Sequence, residues 1–385
     1  MATRSLTTLA QRTRGIEPCR QKVEALLALA DTRIDGRRAW DIRVHDPRFY
    51  PRVLGDGSLG FGETYMEGWW DCDDLVGLIS RVVSAKLHER VRTPGDLLMW
   101  ARAKLVNLQS PARADEIAHA HYDIGNDLYE RMLDRRMIYS CGYWAEANDL
   151  DAAQEAKLDL IFRKLGLEPG MRVLDIGCGW GGAAQFAAER YGVEVVGVTV
   201  SREQARLAEA RCEGLPVEIR LQDYRAVKGR FDRIYSIGMF EHVGVKNYRT
   251  YFRVARDLLT PDGLFVLHTI GGNTPMPQCD RWIARYIFPN SVLPAPSQVT
   301  AACEGLFVIE DWHNFGVDYE RTLTEWLRRF EAAWPELEAR YDERFHRMWR
   351  YYLSASAGSF RARDIQLWQL VLSPGGVAGG YRAPR

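Results

Sequence analysis

The chain has 385 residues, 46% of them hydrophobic, with 51 basic side chains against 51 acidic ones. That is apolar material for one large domain or two ordinary ones, and the balanced charge argues against a nucleic-acid binder, which carries a basic excess. No stretch approaches the roughly 18 apolar residues of a membrane span, no secretory signal pattern opens the sequence, and the seven cysteines form no C-x-x-C pair, so neither a disulfide framework nor a zinc site is expected and a reducing cytoplasm fits.

The first residues, MATRSLTTLAQRTR, are basic and hydroxyl-rich and read as a frayed or surface-docking terminus. KVEALLALA reads as a helix, and GETYMEGWWDCDDLVGLISRVVSAKL carries apolar residues at helical spacing. HERVRTPGDLLMWARAKLVNLQSPARA interleaves Arg and Lys with Leu, Met, Trp and Val. Such a segment suits an anionic membrane surface, and it equally suits an ordinary helix with a solvated face. SPARA ends it as a linker. Residues 1–115 are therefore expected as a smaller, mostly helical domain, and 116–385 as a second domain of different character.

From there the pattern alternates. MRVLDIGCG, VEVVGVTV, PVEIRLQD, FDRIYSIGMF and GLFVLHTI read as strands. WGGAAQFAAERYG, SREQARLAEARC and YFRVARDLL read as helices; Ser201 caps the second of these, and TPDG ends the third. Near-continuous apolar strands alternating with helices mean a parallel α/β sheet covered on both faces. GLFVIEDWHNFG and IQLWQLVLS add two strands, with a long aromatic helical stretch, DYERTLTEWLRRFEAAWPELEARYDERFHRMWRYYLSA, between them. The last residues, SPGGVAGGYRAPR, have little to bury and are expected to be loose.

The glycine-rich turn LDIGCGWGG has G-x-G-x-x-G spacing at Gly177, Gly179 and Gly182, with Gly181 between the last two. It follows a strand and precedes a helix, where glycine lets the backbone approach a ligand. Asp175, two residues before the first glycine, repels a pyrophosphate but suits a cationic, amino-bearing ligand such as S-adenosylmethionine. An NAD site also wants an acid about 20 residues on, and the next strand ends GVTVS, without one. Gln204 is the nearest polar group there. Asp223 and Tyr224 in LQDY suit adenine, one by accepting from its amino group and one by stacking.

HYDIGNDLYERMLDRRMIYSCGYW, VLDIGCGWGG, GVTVSREQ, IGMFEHVG, LHTIGG, DWHNFGVDYERTL and FRARDIQLWQ, in that order, resemble the cyclopropane-fatty-acyl-phospholipid synthases, with the mycolic acid cyclopropane synthases as relatives. The resemblance runs over roughly residues 45–372. It implies a Rossmann-like class I methyltransferase sheet, parallel with an antiparallel C-terminal hairpin. It also implies methyl transfer from S-adenosylmethionine to the double bond of an unsaturated acyl chain, whose new carbon becomes a ring methylene. By similarity, Tyr139, Ser140, Asp175, Gly177, Gly179, Gly181, Thr199, Val200, Gln204, Asp223 and Tyr224 line the cofactor site. Cys141, Glu241, His268, Ile270 through its backbone, and Tyr319 match positions around a bicarbonate ion. Ser356 stands where some relatives carry cysteine; without a base to activate it, serine is no comparable nucleophile, and it reads as lining. The resemblance further implies an N-terminal lipid-docking domain, peripheral association with the inner face of the membrane, and a homodimer.

The chemistry explains why a carboxylate and an imidazole follow the buried run IYSIGMF. An alkene is a poor nucleophile, so it must be held in line with the sulfur–methyl bond. The resulting cation needs dryness, a nearby anion and a weak base for one proton. Ligands of open α/β sheets bind outside the carboxyl ends of the strands. The expectation is a polar clamp of Glu241, His268, Tyr319 and Cys141 there, with Trp144, Phe240, Trp282, Tyr286 and Tyr351 as aromatic walls. A carboxylate beside a bicarbonate requires that one of them hold a proton or that the histidine be charged; the sequence leaves this open. His242, His313 and Arg361 are assigned to structure. The alternatives are a lipid C-methyltransferase giving a methyl-branched or methylene chain, a non-catalytic membrane-binding protein, and an NAD oxidoreductase.

Overall fold

The computed structural model describes residues 3–91, 125–276 and 278–385, with side chains from residue 15 onward. Most of the basic, aromatic stretch, the SPARA linker and the start of the His121 motif lie outside the described residues. The chain forms two compact units. One holds the described residues through Val91, joined by Asp280–Ile287 and Trp334–Asp364. The other holds the described residues from Gly125 to Cys279, with Phe288–Ala333 and Ile365–Arg385.

In the first unit, helix Thr3–Leu29 runs from the chain's start. The segment read as one helical pattern around Gly62 to Leu87 is instead a helix Ser58–Met66, a short strand β2 (Trp70–Asp71) paired with β1 (Arg43–Val44), and a helix Leu75–Ser84. Gly68, at φ 69°, takes a left-handed turn that stops the first helix, and the Asp74 side chain caps the second by accepting from the Gly77 N–H. The long aromatic stretch also breaks, into Val317–Leu337 and Glu343–Arg361, where Asp342 caps the later helix at the Phe345 N–H. Glu343–Arg361 packs on Leu75–Ser84 so closely that a Cβ on Gly358 would meet Ile79 at 2.8 Å. Trp70, Tyr65, Phe61, Trp282 and Tyr351 form one aromatic cluster, with Trp282 and Tyr351 rings 4.6 Å apart.

The second unit is built on a seven-stranded sheet. Its strands are β3 (Arg172–Ile176), β4 (Glu194–Thr199), β5 (Val217–Leu221), β6 (Phe231–Ile237), β7 (Leu259–Gly272), β8 (Val308–Asn314) and β9 (Ile365–Ser373). The order is β5-β4-β3-β6-β7-β9-β8. The five strands from β3 to β7 are parallel, and β9 runs antiparallel to both β7 and β8, as expected of the terminal hairpin. Apolar clusters cover both faces. Leu174, Ile176 and Val198 pack with Phe240, Tyr248 and Phe252 on one face, and Val173, Val195 and Tyr235 pack with Leu158, Ile161 and Phe186 on the other. The chain order reverses between β3 and β6, which opens a crevice at their carboxyl ends.

Two local expectations are corrected. TPDG does not lie outside the strand: β7 begins at Leu259, which pairs with Phe231, and the register slips before Arg233 to absorb the turn residues. The C-terminal residues are not loose. Tyr381 donates its hydroxyl to the Lys164 carbonyl at 2.7 Å, Val377 N–H bonds Glu310, and the Arg385 guanidinium forks onto Asp311. Polar anchors hold a segment with no core of its own.

Candidate active site

The glycine turn follows β3 and precedes helix Gly182–Tyr191. Gly177, Gly179 and Gly181 have φ of 90°, 53° and 81°, a left-handed succession that side chains resist. The glycines do different work. A Cβ on Gly177 would lie 2.8 Å from Met239, and one on Gly181 would lie 2.9 Å from Ala208, while one on Gly182 would strike the Arg136 carbonyl. Those three permit close packing. A Cβ on Gly179 would meet nothing within 4 Å. The open space beside this left-handed glycine leaves room at the crevice that a side chain would fill.

The cofactor candidates gather around this turn. Thr199 ends β4 and its hydroxyl donates to the buried Gln204 side chain at 3.0 Å, with Val200 and the capping Ser201 between them. Asp223 caps the turn Tyr224–Ala226 and its carboxylate is held by Arg225. Tyr224 packs edge-on to Tyr251 at 5.3 Å. Tyr139 lies between Tyr129 and Trp326, at 5.2 and 5.1 Å. Ser140 is buried, and a Cβ on Gly238 at the end of β6 would come within 3.9 Å of its Cβ. Asp175 is 2% exposed, with one carboxyl oxygen lacking a hydrogen-bond partner among the described residues. Burial raises it to about 7 against the opposing pull of Tyr235 and Lys157.

Glu241 lies just after β6, and His268 lies on the neighbouring strand β7. Ile237 pairs with His268, and the Gly238 N–H donates to the His268 carbonyl at 2.9 Å. Glu241 Oε1 accepts from the Ile270 N–H at 2.7 Å, and the Ile270 carbonyl accepts from the Thr269 hydroxyl. The Ile270 amide therefore holds Glu241 in place. The carboxyl is thus held at the backbone two residues along β7 from His268. Burial pushes Glu241 up to about 7 and His268 well below its usual range. Near neutral pH the imidazole is thus uncharged and the carboxyl sits close to its own titration. Gln369, paired with His268 across β7 and β9, sets its amide nitrogen 3.3 Å from Nδ1. Nδ1 then accepts, and the proton rests on Nε2. Nε2 and Glu241 Oε2 are both buried without a partner among the described residues. An imidazole N–H and, when protonated, a carboxyl O–H can each donate a hydrogen bond, a chemistry that suits a small anion.

The Cys141 segment is tied to the helix that carries Tyr319 through Thr322. The Thr322 hydroxyl accepts from the Gly142 N–H at 3.1 Å and from the Trp144 indole at 2.8 Å, lies 3.8 Å from Cys141 Sγ, and donates to the Asp318 carbonyl. Tyr319 stands three residues earlier on the same helix, Val317–Leu337, and is buried. Phe315, just before that helix, packs against the His268 ring at 5.9 Å and against Tyr143 at 5.3 Å. One aromatic side chain thus touches both His268 and the segment that carries Cys141. Complete burial raises the Cys141 thiol far above its usual value, so it is no thiolate nucleophile.

The aromatic candidates divide. Phe240 is a core residue, stacked on Tyr248 at 4.2 Å, and not a wall. Trp144 carries Arg321 over its ring. Trp282, Tyr286, Tyr351 and the half-buried Ser356 belong to the other unit. Gln369 lay inside a quoted motif but offered no chemical signal, and Thr322 is one polar residue on an amphipathic helix. Only the fold singles them out.

The sequence profile described as mycolic acid cyclopropane synthetase matches residues 109–370. The cyclopropane-fatty-acyl-phospholipid synthase of Escherichia coli is 55% identical over 361 residues, covering 94% of each chain. A solved structure of a cyclopropane synthase from Mycobacterium tuberculosis superposes with a TM-score of 0.64 at 33% identity, covering 67% of this chain and 97% of that one. A mycolic acid cyclopropane synthase complexed with SAH and CTAB gives 0.63 at 32%, with 67% and 97% covered. Fold, glycine turn and nearly full-length identity agree: the chain belongs to the mycolic acid cyclopropane synthetase family of S-adenosylmethionine-dependent methyltransferases.

Proposed function

We propose that this chain places the methyl carbon of S-adenosylmethionine across the cis double bond of an unsaturated phospholipid acyl chain and closes it to a cyclopropane ring. The observation that carries the reading is the pair of buried, unpartnered donors, Glu241 and His268, at the crevice that also holds the open glycine turn. The name of the Escherichia coli relative, 55% identical, supports the phospholipid acceptor.

S-adenosylmethionine, when bound, supplies the electrophilic methyl group, and bicarbonate, when bound, supplies a weak base. The chain's own residues do the rest. Gly177, Gly179 and Gly181 admit the donor, Thr199 to Gln204 hold its ribose and methionine portions, and Asp223 and Tyr224 bracket its adenine. Glu241, in its protonated form, and His268 Nε2–H hold the anion, and Cys141 and Tyr319 close over it. Burial keeps water from the lipid cation. Loss of one proton from the transferred methyl then lets the ring close. Residues 1–115 dock the enzyme on the cytoplasmic face of the membrane, and the enzyme works as a homodimer. Among the described residues no helix is long and apolar enough to cross a membrane.

The test is mass spectrometry of lipids after incubation of the protein with S-adenosylmethionine and monounsaturated phospholipid vesicles, with a saturated lipid as control. A gain of one CH2 on the unsaturated lipid alone, with no ozonolysis of the product, is expected. The same gain with a surviving double bond means a methylene product, and two further hydrogens mean a methyl branch; either outcome replaces cyclopropanation with the lipid C-methyltransferase reading.

A further inference from the structure

Behind the Tyr139–Cys141 segment, helix Leu150–Leu165 turns two polar side chains inward. Gln154 and Lys157 stand three residues apart, neighbours on one helix face, and both are 0% exposed. Gln154 Nε2 donates to the Ser140 carbonyl at 2.7 Å, and Lys157 Nζ donates to the Ser140 hydroxyl at 2.8 Å. One residue is thus gripped by both its backbone and its side chain.

A buried ammonium is a costly way to fill that space, because burial disfavours its charged form. Asp134 and Asp175 supply the compensating field. The Asp134 carboxylate is already engaged by the Ile138 and Arg136 N–H groups, whereas Asp175 keeps an oxygen without a partner. A methionine would occupy similar volume without this cost. What the lysine contributes instead is the bond to Ser140. Because the Ser140 oxygen accepts from Lys157, its own proton is left to donate, and a carboxylate on a ligand is a matching acceptor.

We infer that Gln154 and Lys157 are positioning residues for the methyl donor. They fix Ser140, and with it Tyr139 and Cys141, beside the carboxyl end of β6, and they orient the Ser140 hydroxyl toward the donor's amino-acid carboxylate. The inference rests on the assignment of Tyr139 and Ser140 to the cofactor site.

The experiment is calorimetric titration of the full-length protein with S-adenosylmethionine, for the wild type, Lys157→Met, Gln154→Leu, Ser140→Ala and the Lys157→Met/Ser140→Ala double variant. Each single change is expected to weaken binding about tenfold or more, the scale of a lost bond to a charged or buried group. KM for S-adenosylmethionine should rise in step, while kcat at saturation changes less. The double variant should bind no more weakly than Ser140→Ala, because Lys157 acts through the Ser140 hydroxyl. Wild-type affinity in Lys157→Met and Gln154→Leu, or multiplied losses in the double variant, overturns the inference. Should Lys157→Met fail to fold, Gln154→Leu carries the same decision alone. A wild type that does not bind S-adenosylmethionine removes the cofactor assignment, and the inference with it.

Discussion

The glycine turn and the proposed polar clamp are built in opposite ways. The turn is backbone: consecutive residues 177–182, specified by left-handed φ angles and by the absence of side chains. The clamp is side chains from four separate places: residue 141, the end of β6, the middle of β7 and the start of helix Val317–Leu337. In the turn, polar groups meet their partners, as when the Gly177 and Cys178 N–H groups both reach the Val198 carbonyl at 3.0 Å. In the clamp, Glu241 and His268 are buried with an atom each unpaired. The difference teaches that the turn is made for close approach, while Glu241 and His268 carry a buried polar mismatch.

Changing Glu241 to Gln separates the two regions most strongly. It should lower kcat by about 10^2- to 10^4-fold, the range for losing a positioned acid or base group, and leave the calorimetric affinity for S-adenosylmethionine unchanged. Matching losses in both would merge clamp and turn into one site.

The same variant tests the stored mismatch through stability. The Glu241 carboxyl is raised from 4.5 to about 7 by burial. A raised group contributes stability that is present below its unfolded value and lost as pH rises through the folded value. Ligand-free wild type should therefore lose stability relative to Glu241→Gln between about pH 4.5 and 7, by up to about 3 kcal/mol at 1.36 kcal/mol per unit. Parallel urea-denaturation curves across that window would mean that Glu241 carries no such burden.

Within the turn, two alanine substitutions should part company. Gly177→Ala meets Met239 and should cost about 2 kcal/mol of stability in urea unfolding. Gly179→Ala, with open space beside it, should cost about 1 kcal/mol and act mainly by weakening S-adenosylmethionine binding. Equal destabilisation with equal affinity would show that the space at Gly179 holds no ligand.

The strands β3 to β9, the helices between β3 and β7 and the glycine turn were legible because each is written locally, in apolar runs of strand length, in helical periodicity and in glycines where φ must be positive. Caps such as Ser201 were legible for the same reason: the side chain bonds a backbone group three residues away. The candidates Glu241, His268, Tyr319 and Cys141 were reached through the resemblance, since nothing local distinguishes a clamp histidine from a core one. Three things were decided only by the tertiary structure. Long-range contacts alone made Thr322 and Gln369 the groups that hold the clamp, Lys157 the buried cation behind Ser140, and Lys164 and Asp311 the anchors of the C-terminal residues. The split of the aromatic stretch between two units followed from what each half packs against. The third is the pull on protonation: burial lowers His268 and raises Glu241 to about 7, and burial is a property of the assembled core that no stretch of residues carries by itself.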